Sequence, residues 1–328
     1  MNENTVILKP ISSTVNGQTN RMNSVHAKLG IKILPAFIHN LKEISKFKNI
    51  VIFDPEDYNI FKIIEKLPKK RIISHFHLNP TYLGLNSELW KTSLTILNRS
   101  DVIIVPANFL KVELEKYINR EIITVPNGVD TEIFKIKNNV SLPQTFGFVG
   151  KLTNSKGLQI LKYIWRNFPS NYRIQIDSVN NELLINTNNK ILSNQSLQRE
   201  NHITPFLDCL ISTSLSEVAP LVIIEALVAG VPVITTNSSP YIDELQKVFS
   251  SSIIQKIILP DTIKNLNKDE LKLNKQEVKQ LSEVFIEKII TMPKLNKTEK
   301  EAIRKKALEI GFSSDKMCNS FATIYQGH

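Results

Sequence analysis

Glu217 and Glu225 are separated by seven residues in the stretch TSLSEVAPLVIIEALVAGVPVI, residues 213–234. The apolar run after Pro220 predicts a helix over 221–229, with Glu217 in the loop before it and Glu225 about one turn inside. Two carboxylates so placed can bind hydroxyls at two points of an extended ligand. Leu221 and Val222, between them, offer backbone N–H groups to phosphate. A carboxylate without a partner in an apolar helical run is costly, so Glu225 requires a ligand or an ion-pair partner. Upstream, FVGKLTNSKG (148–157) reads as a strand, a glycine and a polar loop flanked by Lys151 and Lys156 before a helix. That pattern can direct two ammonium groups and a helix N-terminus at one diphosphate. His77, in RIISHFHLNP (71–80), falls at the carboxyl end of a predicted strand, and VPNGVD (125–130) supplies an Asn-Gly reversal after another. Taken singly, each has an ordinary structural reading: a glutamate favoured near a helix start, solvated lysines, a histidine in a polar network. Their order and spacing are what point to chemistry. His75 and His77 share a strand face, but no third ligand accompanies them and a metal site is not expected.

These residues need elements to hold them. Short β-branched runs predict strands over 5–8, 31–35, 50–53, 71–76, 102–105 and 122–125, with helical patterns over 19–29, 61–67 and 109–117. After an Asn-, Lys- and Pro-containing loop (135–144) the alternation restarts. Strand 145–149 is followed by helix 158–168, strands 173–178 and 208–213, helix 221–229 and strand 231–235, and the tail from about 261 reads as helices, clearest over 277–292. Strand–helix alternation means a parallel sheet covered on both faces, and the restart means two of them. The fold class is therefore α/β, with one domain over 1–140 and a second over 141–311. Ten glycines are few for this length, and Gly17, Gly128, Gly150 and Gly157 fall where strands would yield to helices. Gly230, before Pro232, reads as a helix stop. Neither GxGxxG nor GxxxxGK[ST] is present, which disfavours a dinucleotide fold and a Walker loop.

Composition narrows the class further. The 328 residues are 42% hydrophobic, enough for two cores, and carry a net charge of +10. Only eight of the 41 basic residues are Arg, and the excess is spread, +6 over residues 1–140 and +4 over the rest. With no zinc-finger spacing, RNP-like run or basic helix, nucleic acid is not an expected partner. The excess in the first half is compatible with a weak preference for an anionic membrane surface. Two distant cysteines offer neither a disulfide framework nor a zinc site, and MNENTVILKP is no secretory signal. A cytoplasmic location is expected.

The Glu-x7-Glu pattern, with NGVD upstream and the GK-loop-KG element between, resembles the retaining glycosyltransferases of family 4, of the GT-B fold. The likeness spans nearly the whole chain and is strongest over 100–135 and 145–245. It implies two Rossmann-like domains facing across a cleft, with a C-terminal helix, 312–328, packing back on the first. It implies a nucleotide-sugar donor held by the second domain and transfer of the sugar to a glycan or lipid-linked acceptor, at the inner face of the membrane in the latter case. By the same likeness Glu225 would bind the ribose, Glu217 the transferred sugar near its C3 hydroxyl, and Lys151 and Lys156 the departing diphosphate. His77 would touch the sugar and help steer the leaving group, and Gly17, in STVNGQTN, would approach the donor phosphates. No Asp-x-Asp occurs in the chain, so the lysines are expected to stand in for a metal, with no other cofactor; a UDP-sugar is favoured by family frequency. Some positions depart from the family: Val218 follows Glu217 where a Gly is usual and would resist a positive φ, Lys151 replaces an Arg, and Ser238-Ser239 replace Gly-Gly. A nucleotide-sugar epimerase or hydrolase, and a nucleotide-sugar-binding paralogue without turnover, are the alternatives.

Overall fold

The computed structural model describes residues 4–10, 17–53, 55–67, 69–137, 144–178, 190–194, 202–264 and 271–327. Contacts divide the chain into two units, Met1–Asn127 with Ser314–His328, and Gly128–Ser313. The sequence reading puts the divisions at 140, which lies outside the described residues, and at 311. Local backbone explains the earlier break. Gly128 is not among the glycines with positive φ, so the Asn-Gly pair does not make the reversal its composition suggests. Instead Val129 forms a parallel bridge with Ser313, its N–H donating to the Phe312 carbonyl at 3.1 Å. That pairing draws the chain into the second unit from Gly128 onward.

The first unit holds six parallel strands in the order β2-β1-β3-β4-β5-β6: β1 (Thr5–Lys9), β2 (Lys32–Pro35), β3 (Asn49–Ile52), β4 (Arg71–His75), β5 (Val102–Val105) and β6 (Glu121–Thr124). Strand alternation assigns the two faces. Val6, Leu8, Ile50, Ile52 and Ile72 pack against Ile60, Ile63 and Ile64 of the helix Tyr58–Lys66, which Asp57 caps by accepting from the Asn59 and Ile60 N–H groups at 2.8 and 3.1 Å. On the opposite face Ile7, Val51, Ile73 and Ile104 meet Met317, Phe321, Ile324 and Tyr325 of the chain's last helix, Ser314–Gln326. That helix is fastened at its carboxyl end. Arg71 donates to the Ile324 and Tyr325 carbonyls at 2.9 and 3.2 Å, and the Asn49 amide donates to Tyr325 at 2.9 Å. Buried His75 lies flat against Phe53 (centroids 4.1 Å) and shares a 2.7 Å hydrogen bond with the Tyr325 hydroxyl.

The second unit repeats the principle with a different order, β12-β11-β10-β7-β8-β9, again all parallel. The strands are β7 (Thr145–Val149), β8 (Arg173–Ser178), β9 (Lys190–Asn194), β10 (Cys209–Ser212), β11 (Val233–Thr236) and β12 (Ile254–Ile257). From β7 the sheet grows outward through β8 and β9. From β10 it grows the other way through β11 and β12. Right-handed crossovers running in opposite directions put their helices on opposite faces. Accordingly Leu158–Asn167 lies with Lys275–Thr291, and Leu221–Val228 lies with Lys297–Glu309. The loops leaving β7 and β10 therefore part company, and the crevice between them is where an open α/β sheet accepts a ligand. No described helix is long and apolar enough to cross a membrane.

Candidate active site

At the β7–β10 crevice the loops are tied to one another. Gly157, at φ 69°, passes so close to the next strand's loop that a Cβ there would lie 1.9 Å from the Thr213 carbonyl oxygen. Only glycine satisfies both the left-handed backbone and the approach. The Thr213 hydroxyl donates to the Lys156 carbonyl at 2.7 Å, and the Leu215 N–H donates to the Ser155 carbonyl at 2.8 Å. The β7 loop is thus pinned against the β10 loop with the Lys156 side chain directed at Glu217, and the two form an ion pair. Glu217 is the more buried partner, its side chain 13% exposed against 34% for Lys156. Ser214 donates to the same oxygen, Oε1, at 2.8 Å. A third loop, leaving β11, completes the frame. The Ser238 carbonyl accepts the Glu217 N–H at 3.0 Å, the Ser239 hydroxyl donates to the Val218 carbonyl at 2.7 Å, and the Thr236 hydroxyl donates to the Ser214 carbonyl.

Beyond Glu217 the chain enters the helix Leu221–Val228 through Pro220, with no side chain capping its start. Ile223 and Ile224 donate back to the Pro220 carbonyl, leaving the Leu221 and Val222 N–H groups without an acceptor among the described residues. Uncapped amides at the positive end of a helix attract an anion. Glu225, one turn on, is half-buried, and its carboxyl has no hydrogen-bond or ion-pair partner among the described residues. Burial alone pushes its pKa up from 4.5 to about 7. A group held this way gains from hydroxyl donors, which would restore the carboxylate. Lys151 follows Gly150 at the end of β7, is exposed and enters no ion pair among the described residues. Glu217, Glu225, Lys151, Lys156, Leu221 and Val222 thus all occupy the carboxyl-end loops or first helical turns of one sheet's switch point.

His77 and Gly17 belong to the first unit. His77 lies two residues past β4, half-buried, its ring 6.0 Å from that of His75. Gly17 is the first residue of the helix Gly17–Leu29, while the loop before it, 11–16, is outside the described residues. Val218 is expected to resist a positive φ, and among the described residues none other than glycine takes one, so its loop follows a path open to a β-branched residue. The serines that replace the family's glycines, Ser238 and Ser239, brace that path with a carbonyl and a hydroxyl. Ser214 and Thr236 are structural supports of these loops that sequence reasoning passed over. The only signal was the density of small hydroxyl residues after two predicted strands.

With this geometry in place, comparison with known proteins decides the family. Residues 129–288 match the family described as glycosyl transferases group 1. That segment is a group 1 glycosyltransferase domain. Solved structures agree in fold. Sucrose-phosphate synthase from Thermosynechococcus elongatus superposes with a TM-score of 0.70 at 12% identity, covering 98% of each chain. HepE from Anabaena, solved in complex with UDP-glucose, gives 0.68 at 12% identity and 99% of each chain. A glycosyltransferase from Rickettsia africae gives 0.66 at 13% identity, over 99% of this chain and 98% of that one. Comparison with curated protein sequences finds no match. The chain has the GT-B fold of these structures, and the segment matched by the group 1 family contains every candidate residue of the second unit.

Proposed function

We propose that this glycosyltransferase moves a sugar, with retention and without a metal, from a nucleoside-diphosphate sugar to a glycan or lipid-linked acceptor. One observation carries the reading: a half-buried Glu225 and two helix amides, all without a partner among the described residues, and the Lys156–Glu217 pair surround one switch point. Glu225 would take the ribose hydroxyls, and the Leu221 and Val222 amides with Lys151 and Lys156 the diphosphate. Glu217 would hold a hydroxyl of the transferred sugar, with Gly17 and His77 serving from the first unit. As the C1–O bond to phosphate breaks, negative charge grows on the diphosphate, and fixed amides and ammonium groups stabilise it without reorganising. The acceptor oxygen bonds to C1 on the same face, and its proton passes to the leaving phosphate oxygen. HepE's UDP-glucose supports a UDP-sugar as donor. A lipid-linked acceptor would place the chain at the inner face of the membrane.

The test is nucleoside-diphosphate release from a panel of UDP-, GDP- and ADP-sugars, with and without EDTA, beside Glu225→Ala. Donor-specific release that survives EDTA and fails in the variant is expected, as is faster release when a glycan acceptor is added. Release abolished by EDTA would overturn metal independence. Product that is a free or epimerised sugar whatever acceptor is present would overturn transfer. Binding without release under every condition would favour a paralogue that only binds.

A further inference from the structure

The arrangement at Glu217 holds information beyond its identity. Both of its side-chain partners, Lys156 and Ser214, contact Oε1, while Oε2 has no partner among the described residues. The two supports differ in kind. Lys156 is a long, partly exposed side chain on the β7 loop, free to swing toward an arriving anion. Ser214 is 3% exposed, sits two residues past β10, and has its own carbonyl clamped by the Thr236 hydroxyl. Its hydroxyl has one proton, and that proton is committed to a carboxylate oxygen that can only accept. When Lys156 turns to the diphosphate, Ser214 is the side chain left holding Glu217.

We propose that Ser214 is a positioning residue: it keeps Oε1 of Glu217 occupied so that Oε2 faces a hydroxyl of the donor's sugar after Lys156 has left the pair. The inference rests on the functional reading above in assigning the sugar to Glu217 and the diphosphate to Lys156. Two consequences follow. Ser214 acts through Glu217, so its removal matters only while Glu217 is present. It acts on the sugar end of the donor, so its removal leaves the nucleotide end untouched.

The experiment uses the full chain with UDP and UDP-glucose as probes, comparing wild type with Ser214→Ala, Ser214→Thr, Glu217→Ala and the Ser214→Ala/Glu217→Ala double variant. Loss of a hydrogen bond to a charged group predicts a fall in kcat of about ten- to a hundredfold for Ser214→Ala. Affinity for UDP should stay within about twofold, so that any rise in KM for the donor comes from its sugar end. Ser214→Thr should keep most activity, and the double variant should be no worse than Glu217→Ala alone. Unchanged kcat in Ser214→Ala, an equal loss in the Glu217→Ala background, or a parallel fall in UDP affinity would each overturn the proposal. Should wild type turn over no donor, the functional reading fails, and calorimetry decides the inference on its own. Ser214→Ala and Glu217→Ala must then both erase the affinity difference between UDP-glucose and UDP, and a difference that is absent or survives overturns it.

Discussion

Replacing Glu225 by Gln removes a charge without changing shape, and the consequence has a sign that can be worked through. Burial raises the carboxyl from 4.5 to about 7 in the folded chain. Between those values the folded chain keeps a proton that the unfolded chain has released. Wild-type stability therefore falls as pH rises from about 4.5 to about 7 and levels off above. The amide of Gln mimics the protonated carboxyl at every pH. The two proteins should unfold together near pH 4.5, and the variant should be the more stable above pH 7. The whole interval is worth about 3 kcal/mol at ~1.36 kcal/mol for each tenfold change in proton affinity. Solvent reaching the half-buried group reduces this to about 1–2 kcal/mol, or roughly 3–6 °C in the midpoint for a unit of this size. Thermal scans of both proteins from pH 4.5 to 8.5 read it directly. Nucleotide binding supplies the second half. Ribose hydroxyls donating to Glu225 favour the carboxylate, so UDP binding at pH 7 should release up to about half a proton. Calorimetry in two buffers of different ionisation enthalpy measures that release, and Glu225→Gln should abolish it. A stability difference that does not change with pH, or identical proton release in both proteins, would refute the argument.

Other perturbations test the frame around the site. Gly157→Ala places a Cβ against the Thr213 carbonyl in a left-handed backbone, and should cost more than about 4 kcal/mol, seen as loss of the cooperative unfolding transition or of soluble protein. Wild-type stability in that variant would mean the two loops do not meet. Lys156→Met removes the cation but keeps the stem; nucleotide release should slow by about a hundredfold while stability changes by less than about 1 kcal/mol, as expected for a partly exposed pair. Arg71→Ala takes two hydrogen bonds from the end of the last helix, and chemical denaturation should show a loss of about 2–3 kcal/mol. Faster amide exchange confined to Ser314–Gln326 would accompany it.

Much of this was legible in residue order. Short, continuous apolar runs marked strands such as β5 (VIIV) and β7 (TFGFV), because a strand buried on both faces has few other compositions available to it. Glu217, Glu225, Lys151 and Lys156 could be named from their order and spacing and from the family resemblance these carry, since each taken singly has an ordinary structural reading. The edge strands of the second sheet were harder than those of the first. Neither β9 nor β12 was read from the sequence, since a short strand with one neighbour needs no distinctive pattern.

Local sequence determined which stretches could be strands, where glycines release them into helices, and which side chains stand at the strands' carboxyl ends. Tertiary structure decided the rest. The order β12-β11-β10-β7-β8-β9, which creates the crevice, depends on which strands find each other across tens of residues. Only folding brings Lys156 and Ser214, one from each side of that crevice, onto a single oxygen of Glu217. Likewise no pattern near Val129 announces its pairing partner, because a backbone bridge to Ser313 is a contact between peptide groups that any side chains could carry. Residue types are a local property, whereas hydrogen-bond partners are chosen by the whole chain.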